Sequence, residues 1–524
     1  IELGEIENTL NTHEHVKDAI VIAKESAMGD ARLLAYVVPN EKLQKFEHIV
    51  DMDTTAFMFD EMYKNSVFEN NEDSYSNFVG WNSSYNAQPI PLHEMEAWRT
   101  ATVNRILELN PKRVLEIGIG SGLLFWKIVP KCEFYWGTDL SSATLQKLQA
   151  VLNHHPDLAE KVELRQQEAL NFSGLPTEFF DTIIINSVVQ YFPDVNYLMQ
   201  VLHSAANLIV PNGSIFIGDV RNLRLLPMFQ TAVQVSRARD DLSLNYVKNL
   251  IGASLQYEEE LLLDPEFFEG FSQVSTRVSG VDLQVKTHIG NNELTQYRYD
   301  VVLRVDALTT VSAKHFDSLE WGRDVTNLAD LRQILLNMSL IVSGGQSEVL
   351  SDQLKGLRIR NVPNQRITAH NSVFRQFQKA TNLGELKALI NSDNQSVFDY
   401  DEFASCALDT GHILRLTWAR KGYEGLLDVI FIREAHFSKD VALVDVYEAE
   451  CDEGSSLYSC ANNPQLGSLH IKLINSLRKY VQKHLPDYME PNNFFIIDAL
   501  PLTPNGKVDR KALPEFDISD VQSE

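Results

Sequence analysis

The stretch Val114-Leu115-Glu116-Ile117-Gly118-Ile119-Gly120-Ser121-Gly122-Leu123 confines this chain more than any other. An apolar run ends in three glycines separated by single residues, and a helical pattern follows at once. Glycine is needed where backbone takes positive φ or must approach a ligand closely. Strand, glycine-rich turn and helix in that order open a parallel βαβ unit. The next hundred or so residues keep the alternation. Phe134 to Thr138, Val162 to Arg165, Phe180 to Asn186 and Ser214 to Val220 read as strands. Helical patterns separate them at Ala143 to Asn153 and Asn196 to Leu208, and another follows Leu223. Ile183, Ile184 and Ile185 form an unbroken apolar run, the mark of a strand buried on both faces of a parallel sheet. An amphipathic helix, Glu94 to Leu109, precedes the unit. Paired strands, Val281 to Lys286 and Tyr297 to Leu303, follow it around the turn Gly290-Asn291-Asn292. The expected fold class is α/β, doubly wound and Rossmann-like.

Asp139 closes the second strand, about 20 residues beyond the glycines, where a carboxylate can accept both hydroxyls of a ribose. A dinucleotide fingerprint would set the third glycine one residue later. Here the order is G-x-G-x-G, with Glu116 ahead of it. That combination resembles motif I of the S-adenosylmethionine (SAM)-dependent methyltransferases. The resemblance implies SAM as cofactor, held around Glu116, Gly118, Gly120, Gly122, Asp139 and Leu140. It also implies that Glu168 and Ala169, in Gln167-Glu168-Ala169 after the third strand, meet the adenine.

Further strings narrow the family. Asn186-Ser187-Val188-Val189-Gln190-Tyr191-Phe192-Pro193 closes the fourth strand, and Gly218-Asp219-Val220-Arg221 closes the fifth. Gly80-Trp81-Asn82-Ser83-Ser84-Tyr85 precedes the core, and Asn292-Glu293-Leu294-Thr295-Gln296-Tyr297-Arg298-Tyr299-Asp300-Val301 follows it. Together, over about residues 60–435, they resemble the N-methyltransferase domains of nonribosomal peptide synthetases. The flanks are similar to a different family. Ile1-Glu2-Leu3-Gly4-Glu5-Ile6-Glu7 looks like the A8 motif of adenylation domains, and Leu485-Pro486-Asp487-Tyr488-Met489 like A9, with Glu490 where a small apolar residue is usual. Pro504-Asn505-Gly506-Lys507-Val508-Asp509-Arg510 matches A10, whose lysine would be Lys507.

The resemblance implies a class I SAM-dependent methyltransferase inserted in a small α+β adenylation C-terminal subdomain. Residues 1–40 and 466–515 would be the two segments of that subdomain, and 516–524 a tail. Residues 41–465 would be the methyltransferase, with a core at about 95–305, an accessory or lid region at about 305–435 and a linker to 465. Insertion at an exposed loop whose ends lie close together is tolerated. Ile1 falls inside a motif, so the chain reads as an excised piece whose adenylation core lies ahead of it. Lys507 would then be idle, and no adenylation is expected of this piece. The implied partners are that missing core and a phosphopantetheinylated peptidyl carrier protein bearing an aminoacyl thioester. A monomer is the family expectation.

Composition serves to exclude. A formal net charge of −25 repels nucleic acid and anionic lipid. Cys132, Cys406, Cys451 and Cys460 are scattered and form no C-x-x-C pair, so neither a disulfide framework nor a structural zinc site is expected. No apolar run approaches the roughly 18 residues of a membrane span. The expected setting is the cytoplasm, with no metal, nucleic acid or membrane involved. His154-His155 and His13-Glu14-His15 read as solvated histidines, Glu258-Glu259-Glu260 as a solvated helix face, and Leu225, Leu226, Met228 and Phe229 as core.

The implied reaction is attack of an α-amine on a sulfonium methyl. The amine must be neutral, and a free α-amine titrates near about 7.7–8.0. Positioning and exclusion of water then supply much of the rate. Asn186 and Tyr191, at the carboxyl end of the fourth strand, are the candidates to orient the amine; otherwise they cap and pack the following helix. Asp219 and Arg221 either line the pocket or pair with each other. Glu293, expected in a loop before a strand, is the candidate proton acceptor, against the alternative of a solvated turn carboxylate. Methylation of oxygen, sulfur or carbon on a carrier-bound substrate stays open, as does a non-catalytic scaffold.

Overall fold

A computed structural model describes residues 2–25, 31–40, 60–61, 77–288, 290–342, 356–390, 400–420, 424–434, 441–449, 456–497, 499–503 and 506–513. Their contacts divide the chain into two units: Met52–Leu244 with Glu260–Asn463, and Ile1–Asp51 with Asn245–Glu259 and Pro464–Glu524.

The larger unit is built on a seven-stranded sheet. Its strands are β1 (Arg113–Ile117), β2 (Phe134–Asp139), β3 (Val162–Gln166), β4 (Phe180–Asn186), β5 (Ile209–Arg221), β6 (Val278–Val285) and β7 (Arg298–Val305). The order across the sheet is β3-β2-β1-β4-β5-β7-β6. The first five strands run parallel, while β7 lies antiparallel to both β5 and β6. Chain direction across the sheet reverses between β1 and β4, so the carboxyl ends of these strands open a crevice there. Ile183, Ile184 and Ile185 have no exposed surface, as a strand covered on both faces requires.

Helices cover the sheet: α1 (Leu92–Leu107), α2 (Ser142–Leu152), α3 (Val195–Leu208) and α4 (Leu226–Arg237). Ser141 caps α2 by accepting from the Thr144 N–H, and Asp194 caps α3 by accepting from the Tyr197 N–H. These caps satisfy donors that the first turn of a helix leaves open. Val114, Phe125, Ile128, Tyr135, Leu148 and Ile184 meet in one apolar core under the glycine turn. Leu225, Leu226, Met228 and Phe229 are buried.

Residues 307–430, where periodicity is weak, hold a second sheet. Its strands lie in the order Asp317–Glu320, Gly356–Val362, Leu427–Arg433, His412–Trp418. The helix Thr368–Gln376 from this region packs on α4.

The smaller unit joins the two ends of the chain. A hairpin of Val16–Glu25 and Ala31–Pro39 receives Asn493–Ile496 as a third, parallel strand on Ala31–Pro39. Ile6 and Leu10 of the helix Leu3–Asn11 share a core with Leu473, Leu477 and Val481 of the helix Gln465–His484. The stretch Asn245–Glu259 belongs here too, a grouping the sequence does not suggest. Gln256 Nε2 donates to the Ile496 carbonyl at 3.3 Å. His13 and His15 are buried, not solvated as the sequence suggests; His13 Nε2 lies 3.0 Å from Ser476 Oγ and its ring meets Tyr480 edge-on. Lys507 is exposed, and Arg510 ties its segment back by donating to Glu7 Oε1 and the Val21 carbonyl. Pro504 and Asn505 of the A10-like string lie outside the described residues. No helix among the described residues is long and apolar enough to cross a membrane.

Candidate active site

The turn after β1 is made by glycines with positive φ: +75° at Gly118, +52° at Gly120 and +79° at Gly122. Side chains are excluded as well as disfavoured. A Cβ on Gly118 would collide with Val188 Cγ2, and one on Gly122 would lie 2.8 Å from Leu148 Cδ2. The turn therefore presents bare backbone at the carboxyl end of β1. Asp139, at the end of β2, reaches across to it. Its Oδ2 accepts from the Gly120 N–H at 2.8 Å, and its Oδ1 accepts from the Ser141 N–H at 2.8 Å. Each oxygen keeps a further lone pair. Burial raises the Asp139 carboxyl against the pull of those N–H donors. Glu168 and Ala169 lie half-buried beyond β3, and Glu168 Oε1 accepts from the Tyr197 hydroxyl at 2.9 Å. Leu140 is half-buried beside Asp139.

Glu116 sits deeper. It is buried within β1, and Tyr135 donates its hydroxyl to Glu116 Oε2 at 2.7 Å. Burial pushes its carboxyl up to about 8, so it is protonated at neutral pH. Its contacts are with the sheet rather than with the mouth of the turn.

At the end of β4 the Asn186 side chain is buried, with Nδ2 donating to Ser187 Oγ at 3.1 Å. Among the described residues its Oδ1 has no hydrogen-bond donor. The neighbouring Gly218 makes this placement possible, because a Cβ there would collide with Asn186 Oδ1. Tyr191 is 46% exposed, on the short turn that follows.

Asp219 lies two residues before the end of β5, at a bulge in the β5–β7 pairing, with φ +63°; the adjacent Ser187 has φ +56°. Both are non-glycine residues held in the left-handed region, a strain that marks functional sites. The cause lies in what surrounds Asp219, which is wholly buried. Trp98 Nε1 donates to both its oxygens at 3.1 Å, and Ser187 Oγ donates to Oδ2 at 2.6 Å. Lys286 Nζ bridges Asp219 Oδ1 at 2.8 Å and Asp300 Oδ1 at 2.6 Å. Burial alone would raise the Asp219 carboxyl, but Lys286 and Arg298 hold it well below the usual carboxylate range. Asp219 and Arg221 do not pair with each other, one of the two sequence readings. Arg221 instead binds Glu260 at 2.7 Å, and this takes Glu260 out of the solvated helix face expected of Glu258-Glu259-Glu260. Those three glutamates follow the helix Leu244–Gln256 rather than lying on it.

Glu293 departs from expectation most. It begins a short helix, α5 (Glu293–Tyr297), capped by Asn292, and it is buried rather than solvated. Its Oε1 accepts from the Ser84 N–H and the Ser84 hydroxyl, both at 2.8 Å. The segment carrying Ser84 also borders the glycine turn, since Ser121 Oγ donates to the Asn77 carbonyl at 3.1 Å. Phe78, Trp81, Trp98, Leu123 and Leu294 pack together between the two. No local pattern joins Trp98, Ser187 and Lys286, because their positions are distant in the chain and meet only around Asp219 in the fold.

The geometry is thus a backbone cradle, a carboxylate beside it and a strand-end amide with an open acceptor. That set fits a nucleoside joined to a small polar group. A family model described as "Methyltransferase domain" matches residues 115–215. Chondramide synthase cmdD of Chondromyces crocatus is 34% identical over 99% of this chain, which spans 13% of that protein. Nonribosomal peptide synthetase dtxS1 of Metarhizium robertsii is 27% identical over 98% of this chain, which spans 6% of it. The crystal structure of N-methyltransferase NodS from Bradyrhizobium japonicum, in complex with S-adenosyl-L-homocysteine, covers 48% of this chain and 98% of its own at 13% identity. Its TM-score of 0.30 gives that likeness no weight.

Proposed function

We propose, from the premise that this chain is a segment of the nonribosomal peptide synthetase family carrying a class I SAM-dependent methyltransferase domain, that it methylates the α-amine of an aminoacyl thioester on a peptidyl carrier protein. The observation that carries the reading is the Gly118-Gly120-Gly122 cradle joined to Asp139, with the open Asn186 Oδ1 at the neighbouring strand end.

Gly118, Gly120, Gly122, Asp139, Leu140, Glu168, Ala169 and Asn186 would hold SAM. Asp139 keeps lone pairs for the ribose diol while anchored by two backbone donors. When bound, SAM supplies a methyl on a positively charged sulfur, which a neutral nitrogen takes up as the sulfur leaves as a thioether. The leaving group carries no charge, so no residue has to act as an acid. This chain's residues must instead bring the amine in neutral form, aim its lone pair and exclude water. Asn186 Oδ1 and the Tyr191 hydroxyl orient the amine. Asp219 is wholly buried with its oxygens taken by Trp98, Ser187 and Lys286, so its part is to fix Ser187, and through it Asn186. Arg221, held by Glu260, is a further positioning residue. Glu293 takes the proton released by the newly methylated nitrogen. The carrier domain and the adenylation core are the proposed partners, the protein acts as a monomer, and Lys507 has no role in the transfer.

The test is transfer of labelled methyl from SAM to an aminoacyl-loaded carrier domain, with fragmentation of the released amino acid. A methyl on the α-nitrogen, lost with Asp139→Ala, is the expected result. A methyl on oxygen, sulfur or carbon would overturn the choice of nitrogen. Absence of SAM binding would leave a scaffold.

A further inference from the structure

We infer that Glu293, Tyr85, Phe229, Tyr297 and His370 form the seat of the acceptor's amine, so that the accessory region supplies one wall of the acceptor site. The inference rests on the methyltransferase reading above and goes beyond it, giving a role to residues 364–376 and a structural reason for nitrogen as the acceptor atom.

Glu293 is 6% exposed, and Ser84 satisfies only its Oε1. Among the described residues no donor reaches the buried Oε2. Leaving a buried carboxylate oxygen unmatched is costly, and such deficits in folded proteins call for an explanation. The nearby donors are committed elsewhere. The Tyr85 hydroxyl donates to Gln296 Oε1 at 3.2 Å, and the Tyr297 hydroxyl lies 2.8 Å from His370 Nδ1. Gln296 Nε2 donates to Asn291 Oδ1 and to the Arg366 carbonyl. Burial, with Glu293 contributing, drives both phenols well above their ordinary range, and burial lowers His370 to about 4. Burial thus keeps Tyr85, Tyr297 and His370 neutral at neutral pH, and the remaining acidic group of the five is the Glu293 carboxyl.

Around it stands a set of rings. Tyr85 lies 5.5 Å from His370 and 6.1 Å from Phe229; Tyr297 lies 5.0 Å from Phe229 and stacks on His370 at 6.0 Å. A carboxylate oxygen beside aromatic faces attracts a group that brings N–H donors and can carry positive charge. A primary amine has both properties. A hydroxyl or thiol brings one donor and no charge, and a carbon acid brings neither. His370 touches Tyr297 and acts through it, as a positioning residue. It comes from the helix Thr368–Gln376, which packs on α4, and Arg366 just before it donates to the carbonyls of Lys286 and His288. Residues far apart in the chain are thereby drawn to one side of the β5 strand end, where the Asn222 N–H donates to the Tyr297 carbonyl.

The test uses the full chain and calorimetry. The probes are the pantetheine amides of alanine, valine and phenylalanine, each beside its 2-hydroxy counterpart. The wild type should bind at least one amine probe about tenfold or more tighter than its hydroxy partner, as expected where one side of a charge-assisted bond is lost. Glu293→Gln, which keeps an acceptor for Ser84, should level that difference while S-adenosylhomocysteine affinity stays within about twofold. His370→Leu should raise KM for the aminoacyl carrier more than it lowers kcat, and His370→Asn should restore much of the loss. A wild type that methylates carrier-bound amine without preferring the amine probes, or a Glu293→Gln chain that keeps the preference, overturns the inference alone. A wild type that binds no S-adenosylhomocysteine, or moves no methyl to nitrogen, sinks the underlying reading instead.

Discussion

Three residues beneath the crevice set conditions that can be measured. Glu116 has its carboxyl raised to about 8 by burial, so the folded state holds a proton that the unfolded state releases near pH 4 to 5. Its stabilising effect is complete below the unfolded value and is lost as pH rises through the folded one. Wild type should therefore lose stability relative to Glu116→Gln between about pH 5 and about pH 8, by roughly 1 kcal/mol per pH unit, and level off above that, in denaturant titrations. Equal slopes for the two chains would contradict this. Gly118 carries a double constraint, φ +75° and the Val188 methyl above it. Gly118→Ala should reduce S-adenosylhomocysteine binding at least about tenfold, and Val188→Ala in the same chain should recover part of it by removing the collision but not the strain of roughly 1–2 kcal/mol. Asp219 compensates Lys286 in a dry setting. Asp219→Asn should cost about 3–5 kcal/mol of stability in urea unfolding, as removing one partner of a buried pair does. A loss below about 1 kcal/mol would mean that Asp300 alone satisfies Lys286. The glycines and Asp139 could be read directly, because turn backbone and strand-end position follow from local pattern. The surroundings of Asp219 and Glu293 could not, because each is assembled from segments hundreds of residues apart.

At the scale of elements, legibility followed hydrophobic contrast. The run Phe180 to Asn186 was recognisable because three isoleucines in succession fit no half-solvated strand, and its bounds in the fold are the same. The paired strands Val278–Val285 and Arg298–Val305 were visible for a similar reason. The strand Gly356–Val362 was not, since it carries Arg358 and Arg360 amid its apolar residues. Arg358 is buried all the same, because Asp428 on the neighbouring strand meets it at 3.1 Å. A charge that pairs only in the tertiary fold looks like a solvent residue to any local reading. Asp428→Ala should destabilise that sheet by about 3–5 kcal/mol, with Asp428→Ala/Arg358→Met recovering most of the loss; hydrogen exchange over residues 356–362 and 427–433 would report it. A double variant no better than the single one would show that Arg358 is held mainly by the carbonyls of Ala313 and Asp445.

For the whole molecule, the smaller unit gives the sharpest expectation. Its apolar core takes side chains from both ends of the chain, and Asn245–Glu259 belongs to it as well. Residues 2–40 joined by a short Gly/Ser linker to 464–513 should melt cooperatively, and a peptide of residues 244–259 added in trans should raise the melting temperature. A fragment with no cooperative transition, with or without the peptide, would show that the unit depends on the rest of the chain. The flanking motifs pointed to such a union, whereas the middle segment carries no motif that could have done so. This construction also orders events on the ribosome. The helix Leu3–Asn11 and its hairpin are made well before Leu473, Leu477 and Val481, which share their core and emerge on the order of a minute later at ordinary elongation rates. Through that interval the earlier segment waits with its apolar face uncovered while the larger unit is synthesised and can fold. The helix Gln465–His484 is what completes the helix Leu3–Asn11, so the nascent chain has a built-in period of exposure in which a holding chaperone would find its target in that earlier helix and its hairpin.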